Sequence, residues 1–242
     1  DLFKSFDLTL PQNTESKVYL NKLNVKKIKF LGNLKFAQND FFYNKPNYKF
    51  KKFIKTKKLW CGLSTHPGEE TICGSVQVQL LKKFKNLVLI IIPRHVERVK
   101  NLSKELSQYN LKQHIHSDNR SIHKDTKIYI VDTYGETNSF LDMCKTVFMG
   151  KSLTTDGGQN PLEAARDNCS ILHGPNVSNF LEIYKFLNKE KISYKIYNQK
   201  QLYKKLEILL ANKNRNSRIK NRINKIGNDI LTKNFKVIES LI

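Results

Sequence analysis

Arginine is scarce in this chain: seven of its 43 basic residues are Arg and the other 36 are Lys. Proteins that read nucleic acid rely on Arg for bidentate and stacking contacts. A formal charge of +22 spread over so many lysines therefore argues for a solvated, lysine-biased surface, and no nucleic-acid partner is expected. An anionic membrane face suits such a charge equally well. The four cysteines, Cys61, Cys73, Cys144 and Cys169, form no CxxC pair. With no signal peptide in view, they predict reduced thiols in a cytosolic compartment. His114-Ile115-His116 lacks carboxylate company, which argues against zinc. The longest apolar run, Leu87 to Ile92, is far too short to cross a bilayer. A Walker A sequence and a GxGxxG fingerprint are both missing, which argues against P-loop ATP hydrolysis and against NAD or FAD. No Asp-x-Asp pair follows a strand, so nothing suggests a metal-dependent sugar transferase.

What is present is a chain of 242 residues with 39% hydrophobic content, enough for one large domain or one domain and part of another. It starts at Asp1 rather than Met, which predicts a piece of something longer. Residues 1–40 have their own character: Asn13 to Leu23 predicts a short helix and Ile28 to Leu31 a strand, broken at Gly32-Asn33. Residues 41–57 predict a linker or basic helix, interrupted by Pro46. From residue 58 onward strand and helix patterns alternate. Strands are expected at Leu59–Leu63, Leu87–Ile92, Lys127–Val131, Val147–Met149, Ser170–Leu172 and Tyr194–Tyr197. Helices are expected at Gly68–Phe84, Glu97–Tyr109, Glu136–Met143, Pro161–Asp167 and Val177–Leu187, with a pair of packed surface helices in the tail from Leu202. That pattern specifies an α/β fold: a Rossmann-like parallel sheet with helices on both faces, spanning residues 58–242.

Ligands of such sheets bind beyond the C-terminal strand ends. Four loops there are dense in Gly, Pro, His, Asp and Glu. In the first, Ser64 or Thr65 can cap a helix that Pro67 opens, and Glu69 and Glu70 complement its positive end. His66 is left over, placed where a ligand would approach. In the second, Pro93 ends the buried strand and Arg94 sets a cation at the ligand edge, whereas Arg98 reads as half of an intrahelical pair. The third, Asp132 to Thr137, offers Gly135 for close backbone approach. The fourth, Gly157-Gly158-Gln159-Asn160-Pro161-Leu162-Glu163, sets two glycines before a helix start whose amides face an anion, with Glu163 available to a ribose diol. Together these describe a pocket for a nucleotide-activated donor.

In order and spacing, six runs resemble the 3-deoxy-D-manno-octulosonic acid (Kdo) transferase family, over roughly residues 1 to 185. They are Gly32-Asn33-Leu34-Lys35-Phe36, STHPGEE at 64–70, PRHVER at 93–98, DTYGE at 132–136, GGQNPLE at 157–163 and GPNVSNF at 174–180. The resemblance implies the two-domain GT-B fold and an inverting, metal-independent transfer of Kdo from CMP-Kdo to a lipid A precursor, with no cofactor and no metal site. It implies that Pro93, Arg94, Gly135, Glu136, Thr137, Asn160, Pro161, Leu162 and Glu163 bind CMP. Ser64, Thr65, His66, Gly157, Gly158 and Gln159 would lie near the donor sugar and phosphate. Residues 1–40 would be the end of the acceptor domain. No catalytic residue is expected in this chain, since the general base and a membrane anchor would lie upstream, at the cytoplasmic face of the bacterial inner membrane. Tyr134, Thr137, Gln159 and Lys151 depart from the pattern, which usually has Met, Leu, His and Gly there. Two other readings stand beside this one. A GT-B transferase for another nucleotide sugar would prefer UDP to CMP, and a basic nucleic-acid binder would show steep salt dependence but leave the four loops unexplained.

Overall fold

The structure, a computed structural model, describes residues 2–37, 48–212 and 219–241. Its contacts divide the chain into two units, one of residues 42–217 and one that joins residues 1–41 to residues 218–242. In the smaller unit, helix α1 (Thr14–Lys22) is capped by the Asn13 side chain, whose oxygen accepts the Ser16 N–H at 2.7 Å. The strand expected at Ile28–Leu31 does not form. A single parallel bridge joins Thr9 to Ile28, with hydrogen bonds on either side through Lys27 and Lys29. A strand needs a neighbour paired over several residues, and a one-residue bridge offers none.

The larger unit opens with α2 (Tyr48–Ile54). Its Phe50 is buried, with ring centroids 4.5 Å from Tyr129 and 5.2 Å from Phe140, so this part of the expected linker is packed helix. Pro46 lies outside the described residues. Strand β1 (Lys58–Thr65) leads to α3 (Glu69–Leu81), β2 (Leu87–Pro93) to α4 (Val99–Leu106), and β3 (Gln113–Ile115) to β4 (Ile128–Ile130). Then come α5 (Thr137–Leu141), β5 (Thr146–Met149), α6 (Leu162–Arg166), β6 (Ser170–His173), α7 (Leu181–Lys189), β7 (Ser193–Lys195) and α8 (Gln199–Ala211). The sheet has seven strands in the order β3-β4-β2-β1-β5-β6-β7, and every pair is parallel. Parallel pairing requires crossovers that place helices against the sheet. That is why all seven residues of β2 are buried and apolar.

Edge strand β3 has no apolar alternation and escaped the sequence pattern; its residues are only half-buried. At the core, Trp60 is fully buried and its indole N–H donates to Gln77 Oε1 at 2.7 Å. Gln77 in turn donates to the Leu87 and Lys127 carbonyls, so a polar side chain inside the core has its donors used.

Both tail helices form, but not as a packed pair. Helix α8 packs on α3, whereas α9 (Ile219–Glu239) belongs to the smaller unit. There α9 buries Ile219, Ile223, Gly227 and Ile230 and packs on the turn Leu34–Ala37.

His173, at the end of β6, is 3% exposed and its Nδ1 lies 2.7 Å from the Gly174 carbonyl, which assigns the proton to Nδ1. Burial lowers its pKa from 6.5 to about 4, and Lys195 adds to the lowering against the pull of the Gly174 carbonyl. The unfolded chain binds this proton near pH 6.5 and the folded chain only near pH 4, so stability falls with pH through that window. The loss should reach about 3 kcal/mol. Urea unfolding of the wild-type chain and of His173→Asn between pH 7 and 4 measures it: the variant should show a shallower slope, and equal slopes would refute the assignment.

Candidate functional site

Strand β1 lies between β2 and β5, so the chain leaves β1 for one side of the sheet and later returns through β5 to the other. This is the topological switch point, and the crevice beyond the C-terminal ends of β1 and β5 is where such sheets take ligands. Two of the four loops that the sequence marks out, 64–70 and 157–163, border this crevice.

The connections after β1 and β5 are joined by one side chain. Glu69 is fully buried, and its carboxylate accepts four backbone N–H groups. Oε2 takes those of His66 at 3.0 Å and Lys151 at 2.8 Å, and Oε1 those of Ser152 at 2.9 Å and Leu153 at 3.0 Å. A buried carboxylate is tolerable when several donors replace its water. Sequence reasoning gave Glu69 only a helix-end role, because nothing local signals partners more than 80 residues away.

Ser152 extends the clamp. Its hydroxyl donates to the Met149 carbonyl at 2.6 Å and accepts the Gly174 N–H at 2.9 Å, and its carbonyl accepts the Asn176 N–H at 3.1 Å. The loop after β6 is thereby tied to the loop after β5. The approach is so close that a Cβ on Gly174 would lie 1.8 Å from the Ser152 oxygen. Gly150 is bound in the same way, since its Cβ would lie 2.3 Å from the Ser64 oxygen.

These contacts position the glycine loop. Gly157 and Gly158 are buried with φ of +107° and +72°; the Gly157 carbonyl accepts the Asn179 N–H and the Gly158 N–H donates to the Lys151 carbonyl. The Gln159 carbonyl accepts the Tyr184 hydroxyl at 3.1 Å. Asn160 Oδ1 accepts the Leu162 N–H at 3.1 Å, at the start of α6, where Pro161 and Leu162 are buried and Glu163 is half-buried in the first turn. The His66 ring is within reach: its Nε2 is 3.5 Å from Gln159 Nε2 and its centroid is 5.8 Å from that of His95. Burial lowers the pKa of His66, so the ring faces the crevice as a neutral imidazole at neutral pH.

Ser64 has φ +51°, and Thr65 is buried in register with Pro93, so β1 and β2 end side by side. The Arg94 N–H donates to the Thr65 carbonyl at 3.1 Å; its side chain is exposed and enters no ion pair among the described residues. Arg98 does not pair within its own helix. It reaches Glu70 of α3 at 3.1 Å, a carboxylate whose pKa burial raises and Arg98 pulls back. Gly135 has φ +83° and open space where a Cβ would stand. Glu136 is turned toward His116, 3.0 Å away, and accepts the Thr133 hydroxyl. Thr137 opens α5, which packs on α6. The expected site residues thus line the C-terminal edge of the sheet, with Glu136 committed to His116 and Thr133. Among the described residues no group of three or more His, Cys, Asp or Glu could hold a metal ion, and no helix is long and apolar enough to cross a membrane. A cavity of about 920 Å³ lies at the opposite end of the sheet, lined by Lys58, Thr146 and Ser170 where strands begin, and is not part of this site.

A parallel sheet of this order, with pinned glycine-rich loops at its switch point, has the Rossmann-like architecture of one half of a GT-B fold. The chain is homologous to the 3-deoxy-D-manno-octulosonic acid transferases. It is 30% identical to that of Rickettsia felis over 214 residues, 88% of this chain and 46% of the relative, and 27% identical to that of Haemophilus influenzae over 90% of this chain and 51% of the relative. It therefore spans about half the length of the curated relatives it matches. The C-terminal CMP-Kdo binding domain of WaaA from Acinetobacter baumannii superposes with a TM-score of 0.62 at 26% identity, covering 74% of this chain and 91% of that domain. No protein-family model matches the chain.

Removing the clamp should be severe. Glu69→Ala strands four amide donors and should cost about 3–5 kcal/mol in urea unfolding. A loss under about 1 kcal/mol would show that the loops hold their places without it.

Proposed function

We propose that this chain is the donor-binding part of an enzyme that transfers Kdo from CMP-Kdo to a lipid A precursor, inverting the anomeric centre and using no metal. The observation that carries this reading is the glycine loop 157–163, pinned at the β1/β5 switch point in a fold shared with a CMP-Kdo binding domain. Glu163 holds the ribose diol through two hydrogen bonds. Arg94 supplies a cation for the phosphate, and the backbone of Gly135, Thr137 and Asn160 to Leu162 borders the cytidine. Gly157, Gly158, Gln159, Ser64, Thr65 and His66 surround the phosphate and sugar, with His66 neutral and able to hydrogen-bond in either direction. Residues 1–40, together with α9, form the end of the acceptor domain, and residues 58–212 form the donor domain. The general base for the acceptor hydroxyl is assigned to a part of the enzyme outside this chain, which binds donor but transfers slowly by itself.

The lysines serve the acceptor side. They hold the enzyme at an anionic cytoplasmic leaflet and near the lipid phosphates, each contributing on the order of 1 kcal/mol. Binding to anionic vesicles should then vanish as salt is added.

Calorimetry tests the donor assignment. CMP should bind more tightly than UMP or UDP, and CMP more tightly than 2′-deoxy-CMP. Glu163→Gln should weaken CMP about tenfold, near 1.4 kcal/mol, and erase the preference for the ribose. A preference for UDP would replace Kdo transfer with the use of another nucleotide sugar.

A further inference from the structure

Lys151 occupies a backbone position that glycine would fill with less strain. Its φ is +53°, in the left-handed region, where a Cβ is unfavourable. The main chain there is fully committed. Its N–H donates to Glu69 Oε2 at 2.8 Å and its carbonyl accepts the Gly158 N–H at 2.9 Å. Neither bond needs a side chain, so what lysine adds at this place is its ammonium group.

The side chain returns over the glycine loop. Its Cε and Nζ each lie 3.6 Å from where a Cβ on Gly157 would stand, so the ammonium group sits beside the glycine loop. The residue is half-buried, and its charge reaches His66, where it adds to the lowering of the ring's pKa. No carboxylate pairs with it among the described residues, in contrast to Lys83 with Glu207 and Arg98 with Glu70. Both oxygens of nearby Glu69 are taken by backbone amides. An ammonium group on a half-buried residue, with no carboxylate partner among the described residues and set beside a glycine loop and His66, is suited to an anion.

We propose that Lys151 Nζ is a direct ligand for an anionic group of the nucleotide-sugar donor, either the phosphate that joins cytidine to the sugar or the carboxylate of the sugar. The proposal rests on the donor-binding reading given above. It assigns a binding role to a residue at which this chain departs from the pattern its motifs resemble.

The test compares the wild-type chain with Lys151→Gly, Lys151→Gln and Lys151→Arg. Calorimetry is run with cytidine, CMP and CMP-Kdo, and Tm is measured for each variant. Lys151→Gly should fold with an equal or higher Tm because it suits the backbone. It and Lys151→Gln should weaken the anionic ligand about tenfold, leave cytidine unchanged, and Lys151→Arg should restore most of the affinity. A loss for CMP and CMP-Kdo alike assigns the phosphate, and a loss confined to CMP-Kdo assigns the carboxylate. Unchanged affinity for both in Lys151→Gly overturns the proposal. So does an equal loss for cytidine, which would mark an effect on the loop rather than on the anion. A wild-type chain that binds none of the three ligands overturns the donor reading itself, and this proposal with it.

Discussion

The buried carboxylate of Glu69 is the constraint on which the site depends. Four backbone amides converge on its two oxygens, one from the loop after β1 and three from the loop after β5. Taking a carboxylate out of water is unfavourable by several kcal/mol unless such donors replace the solvent. The arrangement is therefore close to all-or-none. With the loop after β5 in place, the charge is satisfied; with that loop displaced, the charge keeps only the His66 amide. The twelve-residue connection between β5 and α6 is thereby held in place, and Ser152 passes that order on to Gly174 and the loop after β6.

Much of this was legible in the sequence, and the reasons it was differ by element. β2 announced itself because a central parallel strand is apolar on both faces, and Leu87 to Ile92 is an unbroken apolar run. The loops announced themselves by composition, since glycines, a proline and acidic residues stood out against lysine, asparagine and isoleucine. What escaped were features set by distant partners. β3 exists because β4 pairs with it, and its Gln-His-Ile sequence carries no strand period. Ile28 to Leu31 has strand composition but lacks a partner, so only a bridge forms. α2 holds because Phe50 finds Tyr129 and Phe140. The partners of Glu69 and Arg98 lie on other elements, and spacing within one helix could not reveal them.

The charge of +22 now divides into groups with different physics. Arg98 and Arg120 are neutralised by Glu70 and Asp118 and help to shape the chain. Most lysines are solvated and set the long-range field, which acts on solubility and on anionic surfaces. Arg94 and Lys151 stand apart, placed at the C-terminal strand ends and unpaired among the described residues. Charges held without partners at a ligand edge carry more meaning than the net total.

The central claim is that the crevice beyond β1 and β5 is built before any ligand arrives, by the Glu69 clamp. Amide hydrogen exchange, followed residue by residue without and with CMP, tests it most directly. The account predicts that the amides of Lys151, Ser152 and Leu153 exchange as slowly as those of the core strands in the free chain. It also predicts that adding CMP slows exchange further only around residues 157–163. Fast exchange at Lys151 to Leu153 in the free chain would contradict it, because the loop would then be ordered by the ligand and not by the carboxylate.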